Sequence, residues 1–191
     1  MTALAIAAPA VCALAAWLGG PWVGAGGAAL ALGTVVLVAE MPSPREITAA
    51  RIGGGAAAGL AMWAVTYLVH PAAARALPWL AGETTELYAA FRSAGSGAIL
   101  LAPIVVGEEL VWRGLVQGAL AVRFGVAPAV PLAAALFALA HAPLGSPLLA
   151  LVAFACALAW GALRAWTGSL VPAASAHLVW NACVLVLWPL G

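Results

Sequence analysis

The chain has 191 residues, of which 66% are hydrophobic and only 7% are charged, and its mean hydropathy is +1.12. No soluble single domain of this length has such a composition, whereas a polytopic helical membrane protein does. A net charge of +1 and the absence of a basic run argue against nucleic-acid binding. Cys12, Cys156 and Cys183 lie in apolar segments without CxxC spacing, which predicts neither a disulfide framework nor a zinc cage.

Hydrophobic segments recur along the whole chain and predict about seven membrane-spanning helices. The first lacks a charged region before it, so we expect a retained span and not a cleaved signal peptide. An uncharged Gly-rich break follows this first span. Because the two N-terminal segments could merge or fray, the predicted number of spans ranges from six to eight. The predicted spans are residues 3–18, 25–41, 52–70, 98–123, 127–142, 146–164 and 169–189.

The longest polar interval, residues 71–97, predicts a short amphipathic helix at the membrane interface. Leu87, Tyr88 and Phe91 recur there at helical spacing, and the charges of this interval are expected to form a solvated face. The predicted fold is therefore all-α: a polytopic transmembrane helical bundle, in which residues 1–191 form a single integral-membrane domain, plus one short interfacial helix.

The arginines of the connecting segments predict how the bundle is oriented in the membrane. Arg45, Arg51, Arg123 and Arg164 fall on one side of the predicted bundle, whereas the arginines of the other side are offset by Glu83 and Glu86. Because short cytoplasmic connections carry an excess of Lys and Arg, this placement favours a cytoplasmic N-terminus and an outward C-terminus.

Three charged residues interrupt the fourth span. A charge at the bilayer centre costs roughly 2.5–3.5 kcal/mol on insertion scales, so Glu108, Glu109 and Arg113 are candidates for function. At about 100° per residue, Glu109 and Arg113 share one helix face and can form an ion pair, while Glu108 points elsewhere. Glu108 is thus the carboxylate that needs another partner.

The other polar residues inside apolar spans complete a chemically coherent set. His141 ends the fifth span, four residues after Phe137, and His177 and Asn181 lie on one face of the seventh span. A carboxylate and one imidazole can take a proton from water, and the second imidazole and the amide can donate to a developing oxyanion. Glu108, His141 and His177 also match the ligand types of a catalytic zinc site. The residues alone predict an intramembrane hydrolase or a metal site.

Three short motifs on separate spans resemble those of a known family. EELVWR at 108–113 resembles EExxxR, FALAH at 137–141 resembles FxxxH, and HLVWN at 177–181 resembles HxxxN. In this order they are similar to the CAAX protease and bacteriocin-processing family (CPBP, or Abi) of intramembrane endopeptidases. The resemblance covers about residues 98–185, which we take as the catalytic core.

The resemblance implies a role for each motif residue. Glu108 would be the catalytic glutamate and would activate water together with His141, while His177 and Asn181 would form the oxyanion hole. Glu109 and Arg113 would hold the site together, and Phe137 would be a packing residue. The resemblance also implies a glutamate-type mechanism with no cofactor. The alternative is a zinc-dependent mechanism, with the zinc bound by Glu108, His141 and His177. Water is expected to enter through a polar cavity between the fourth, fifth and seventh spans.

The expected activity is hydrolysis of a peptide bond near the membrane-associated C-terminal end of a protein substrate. The expected partners are a membrane-anchored protein or peptide and the lipid bilayer, and no nucleic acid. The chain is Ala-rich and all of its cationic residues are Arg, which favours a bacterial cytoplasmic (inner) membrane. Two alternatives remain: a non-catalytic immunity or chaperone protein on the same scaffold, and a transporter that uses Glu108 and the histidines as a proton relay.

Overall fold

All regular secondary structure is helical in the part of the protein that the computed structural model describes, which comprises residues 2–19, 26–40, 42–93 and 97–190. These ranges contain no β-strand, which confirms the predicted all-α fold. Two π-helical turns (Leu110–Val116 and Cys183–Leu187) and one 3₁₀ turn (Ala142–Leu144) accompany the α-helices. The α-helices are α1 (Thr2–Gly19), α2 (Gly26–Glu40), α3 (Ala49–Ala76), α4 (Trp79–Ser93), α5 (Gly97–Glu109), α6 (Gln117–Phe124), α7 (Val126–His141), α8 (Pro147–Thr167) and α9 (Leu170–Ala182).

Four helical segments of the described chain are long and apolar enough to cross a membrane: Ala49–Ala76, Val126–Leu144, Pro147–Thr167 and Leu170–Leu187. A fifth is added if Trp79–Ser93 and Ala98–Phe124, which are bent by 105° against each other, count as one span. Shorter apolar helices cover Ala3–Gly19 and Gly27–Val36. A membrane-spanning helical bundle is therefore confirmed, and the count of seven spans stays a prediction.

The third span differs from its prediction at the C-terminal end. The sequence places its end at His70-Pro71, but α3 continues to Ala76. A proline inside a helix removes one backbone donor, and membrane helices tolerate this where neighbouring groups satisfy the freed carbonyl. The Gly-rich break predicted between the first two spans lies, at residues 20–25, outside the described residues.

Helix α4 is the amphipathic helix predicted for the long polar interval. Its buried residues follow helical spacing: Leu80, Thr84, Tyr88 and Phe91. Glu86 and Arg92 are exposed, as expected for a solvated face. Glu83 is an exception, because it is half-buried and accepts a hydrogen bond from the hydroxyl of Ser146, at the start of α8. The helix thus packs one face against the bundle and is tied to α8.

Glycines and serines set the close packing and the start of α9, the helix that carries His177 and Asn181. Gly168 (φ 66°) ends α8 in the left-handed conformation, and the Ser169 hydroxyl then accepts the backbone N–H of Val171 at 3.4 Å. On the neighbouring helix α3, Gly55 and Gly59 lie against the backbone of α9 with no room for a Cβ atom. Small residues therefore let α3 and α9 pack backbone to backbone, as is common in membrane helices.

Candidate active site

A cavity of about 240 Å³ lies inside the bundle and is lined by residues of α3, α4, α5, α7, α8 and α9. All four residues predicted to be catalytic line it: Glu108, His141, His177 and Asn181. The sequence predicted a polar cavity between the fourth, fifth and seventh spans, which correspond to α5–α6, α7 and α9. The observed cavity has three further walls and is mainly apolar. The structure thus brings four polar residues from three helices to one internal surface.

The neighbouring glutamates Glu108 and Glu109 have different surroundings. The side chain of Glu108 is 12% exposed and lines the cavity, whereas that of Glu109 is 1% exposed. Glu109 Oε1 lies 3.2 Å from Arg113 Nη1, which confirms the predicted ion pair between these residues. The chain changes from α-helical to π-helical directly after Glu109, so the pair forms although regular α-helical geometry ends there.

The guanidinium group of Arg113 lies between two aromatic rings. Its central carbon is 4.9 Å from the centroid of the Phe137 ring and 5.1 Å from that of the Trp160 ring. Both distances are within the range of a cation–π interaction, which compensates in part for the burial of the guanidinium group. The Phe137 ring is therefore packed inside the protein, and one of its contacts is the charged guanidinium group of Arg113 in the EExxxR motif.

His177 lies between the two carboxylates and is held on a third side by an aromatic ring. Its Nδ1 is 2.8 Å from Glu109 Oε1, and its Nε2 is 3.6 Å from Glu108 Oε2. The Trp160 ring stacks on the imidazole at a centroid distance of 3.6 Å and an angle of 17°. Because a carboxylate can only accept, Nδ1–H donates to Glu109 and Nε2 faces Glu108. The ring is thus fixed in its orientation, with Nδ1–H directed to Glu109.

His141 is oriented by its own helix. Its Nδ1 lies 2.8 Å from the backbone carbonyl oxygen of Phe137, and the two rings are 4.5 Å apart. A carbonyl oxygen only accepts, so Nδ1 carries the proton, and in the neutral ring Nε2 has the free lone pair. Any residue at position 137 would supply this carbonyl, and what the Phe137 side chain adds is the ring contact with His141.

Asn181 follows His177 by one helical turn and also lines the cavity. Within the part of the chain that the structure describes, no residue forms a hydrogen bond with its side-chain amide. The amide N–H groups are consequently available to a ligand in the cavity.

Two features of this site have no counterpart in the sequence prediction. Trp160 contacts both His177 and Arg113, yet nothing in the sequence distinguishes it from the other eight tryptophans. The cavity is also lined by polar residues outside the three motifs: Thr66, His70, Thr84 and Tyr88. Their helices α3 and α4 precede the catalytic core in the sequence, so only the folded arrangement reveals them.

The zinc alternative requires Glu108, His141 and His177 to converge on one point. Among the described residues, no group of three or more His, Cys, Asp or Glu side chains is arranged so that it could hold a metal ion. This arrangement gives the zinc alternative no support.

The sequence from residue 90 to residue 183 matches the family model described as "Type II CAAX prenyl endopeptidase Rce1-like". This range contains α5 to α9 completely and includes all three motifs. Comparison with curated proteins and with solved structures gives no match. Residues 90–183 thus match a model of the CAAX protease family, which confirms the resemblance carried by the three motifs.

Proposed function

We propose that the protein is a glutamate-type intramembrane endopeptidase that cleaves near the membrane-associated C-terminal end of a protein substrate. The observation that carries this proposal is that Glu108, His141, His177 and Asn181 line one cavity within a membrane-spanning bundle. The family match supports peptide hydrolysis as the reaction class, and the apolar cavity wall supports a substrate that arrives from the membrane.

In the proposed mechanism Glu108 and His141 activate a water molecule. Glu108 accepts a proton from the water, whose oxygen attacks the scissile carbonyl carbon, while Nε2 of His141 accepts the second hydrogen of the water in a hydrogen bond. The electron pair of the C=O bond moves onto oxygen and gives the tetrahedral oxyanion. When this intermediate collapses, the C–N bond breaks and Glu108 returns its proton to the leaving amine.

His177 and Asn181 are proposed to stabilise the oxyanion. Asn181 has a free amide for this purpose. His177 donates Nδ1–H to Glu109, so its Nε2 can donate to the oxyanion only if the ring is an imidazolium. Burial disfavours that charged form, and the carboxylate of Glu109, 2.8 Å away, opposes this effect. We therefore assign Glu109 as a positioning residue that also stabilises the donor form of His177.

The proposed partners are a membrane-anchored protein or peptide substrate and the lipid bilayer. The proposed location is a bacterial cytoplasmic (inner) membrane, with the N-terminus in the cytoplasm. Arg45, Arg51, Arg123 and Arg164, which connect or end helices on the predicted cytoplasmic side, support this orientation. Reporter fusions to the N-terminus and to the α4–α5 connection test it, because they should report opposite sides of the membrane.

The experiment that tests the proposed function compares wild type with Glu108→Gln in the native host. The C-terminal ends of membrane-associated proteins are determined by mass spectrometry. We expect one group of precursors to keep its C-terminal tail only with Glu108→Gln. Glu86→Gln, which makes the same change on the exposed face of α4, serves as the control and should process like wild type. Normal processing by well-expressed Glu108→Gln would contradict the proposal and favour the non-catalytic binder.

A further inference from the structure

The cavity wall away from the catalytic residues contains three hydroxyl groups, those of Thr66, Thr84 and Tyr88. Each donates its hydrogen to a backbone carbonyl of the protein: Thr66 to Met62 O at 2.9 Å, Thr84 to Leu80 O at 2.8 Å and Tyr88 to Val184 O at 2.8 Å. A hydroxyl has only one hydrogen, so none of the three can donate to a molecule in the cavity. Two of them also accept a protein N–H, from Trp180 and from Leu190.

His70 is the remaining polar group of this wall, and Thr84 fixes its orientation. Its Nε2 lies 3.0 Å from Thr84 Oγ1, whose own hydrogen is directed to the carbonyl of Leu80. Nε2–H must therefore be the donor in this pair, and the neutral ring has its lone pair at Nδ1. No described residue forms a hydrogen bond with Nδ1, so this nitrogen is an oriented acceptor without a protein partner.

The position of His70 relative to the catalytic residues follows from the packing of α3 on α9. Gly55 and Gly59 of α3 lie against Pro172 and Ala176 of α9, so the two helices run parallel. Trp180 Nε1 also donates to Thr66 Oγ1 at 3.3 Å, and Thr66 therefore lies beside the helical turn that begins at Asn181. His70 lies one turn further along α3, a rise of about 6 Å. An extended peptide covers this distance with about two residues, at ~3.3 Å each.

We propose that His70, oriented by Thr84, is a substrate-binding residue that accepts a backbone N–H of the bound peptide through Nδ1. The N–H concerned belongs to a residue about two positions from the scissile carbonyl. An extended peptide exposes its N–H groups, and in an apolar cavity such a donor needs an acceptor. The remaining wall offers mainly apolar contacts, which suit apolar side chains or a lipid group of the substrate. This inference rests on the proposed peptidase function.

The test measures binding and cleavage of a fluorescent, S-farnesylated peptide with a CAAX-type C-terminal end, in proteoliposomes. Each backbone N–H of the peptide is replaced in turn by N–CH₃. For wild type we expect one methylation, within about two residues of the cut, to raise Kd about 2- to 12-fold, the effect of one hydrogen bond. For His70→Gln the same methylation should change Kd less than about twofold, because the Gln amide keeps a donor towards Thr84, and its acceptor oxygen, bound to the same carbon as that donor, does not occupy the position of Nδ1.

Two further variants separate recognition from structure. Thr84→Val releases the imidazole, so it should weaken the methylation effect without abolishing it. Leu68→Ala, on the exposed face of the same helix, should behave like wild type. In cleavage, His70→Gln should raise KM and leave kcat within about twofold, since the bond is present before and during the reaction.

Each outcome bears on the inference separately from the proposed function. If methylation raises Kd equally in wild type and in His70→Gln, the inference that His70 binds the peptide is overturned. It is also overturned if wild type does not bind the unmethylated peptide. A His70-dependent preference for the peptide acid over its C-terminal amide, without any methylation effect, overturns it in favour of carboxylate binding. If the peptide is bound with the expected methylation effect but is not cleaved, the role of His70 in binding is supported and the proposed peptidase function is contradicted.

Discussion

The contact between Gly59 of α3 and Ala176 of α9 positions His177, and Gly59→Ala tests its importance. A Cβ atom at position 59 would lie 2.5 Å from the carbonyl oxygen of Ala176 and 3.0 Å from its Cα. Both atoms belong to backbone, so the helices must separate by several tenths of an ångström. Ala176 precedes His177, whose Nδ1 is only 2.8 Å from Glu109. The same displacement therefore reaches the candidate active site.

Overpacking of this kind costs about 1–3 kcal/mol of unfolding free energy. For a chain of this length, each kcal/mol lowers Tm by about 2–4 °C. A misplacement approaching 1 Å at a catalytic group lowers activity by up to about 10²-fold. We therefore expect Gly59→Ala to lower both the Tm, measured by thermal unfolding in detergent, and the cleavage rate, with the rate affected more strongly.

Gly54→Ala is the matched control, because the same change on the same helix meets no atom within 4 Å. Alanine is intrinsically the better helix former by about 0.5–1 kcal/mol, so Gly54→Ala should leave activity unchanged and Tm equal or slightly higher. If Gly59→Ala and Gly54→Ala have the same Tm and the same activity, the close packing of α3 on α9 does not position His177 and the reasoning is refuted.

Three further predictions concern the neighbours of the site and the membrane surface. Glu109→Gln should lower the unfolding free energy by about 3–5 kcal/mol, because Arg113 loses its buried partner. The double variant Glu109→Gln/Arg113→Gln should regain stability, since no unpaired charge is left, but its kcat should stay low. Recovery of kcat in the double variant would contradict the proposed role of Glu109. Trp160→Phe should keep more activity than Trp160→Leu, because only the former can stack on an imidazole; equal kcat values would argue against stacking. Hydrogen bonds from Ser169 and Ser43 hold the pKa of Glu46, which precedes α3, below its ordinary value. At pH values above the ordinary carboxyl pKa, the ionised Glu46 therefore stabilises the fold. This stabilisation is lost as the pH falls through the lowered pKa of the folded state. Glu46→Gln should show a smaller loss of Tm between pH 7 and acid pH than wild type, and an unchanged loss would exclude this linkage.

The sequence predicts the helices well because the lipid environment makes their pattern unambiguous. Residues 127–142, predicted as one span, correspond to α7 at Val126–His141, and residues 146–164 correspond to α8 at Pro147–Thr167. Backbone polar groups in a membrane must be satisfied within the helix, so an apolar run has few alternatives to helix. The end of α3 is the informative failure, since a proline that normally indicates a boundary is here accommodated inside the helix.

The ion pair of Glu109 with Arg113 was predictable because it lies within one helix. Its spacing along the chain determines which side chains meet, and the opposite placement of Glu108 follows from the same geometry. The contacts of His177 were not predictable in this way. Glu109 and Trp160 contact His177 from two other helices, and Gly59 of a third helix contacts the preceding residue, Ala176. Nothing in the local sequence of any of them indicates the contact.

The same distinction explains the different tasks of the two histidines in the motifs. His141 takes its orientation from a carbonyl of its own helix, so FxxxH is sufficient to define its tautomer wherever the helix forms. His177 depends on Glu109 from a different segment, so HxxxN places the ring but does not determine its protonation state. A change in helix packing should therefore alter the proposed donor function of His177 while leaving the proposed acceptor function of His141 intact. The Gly59→Ala variant separates these two contributions, because its contact acts on α9 and not on α7.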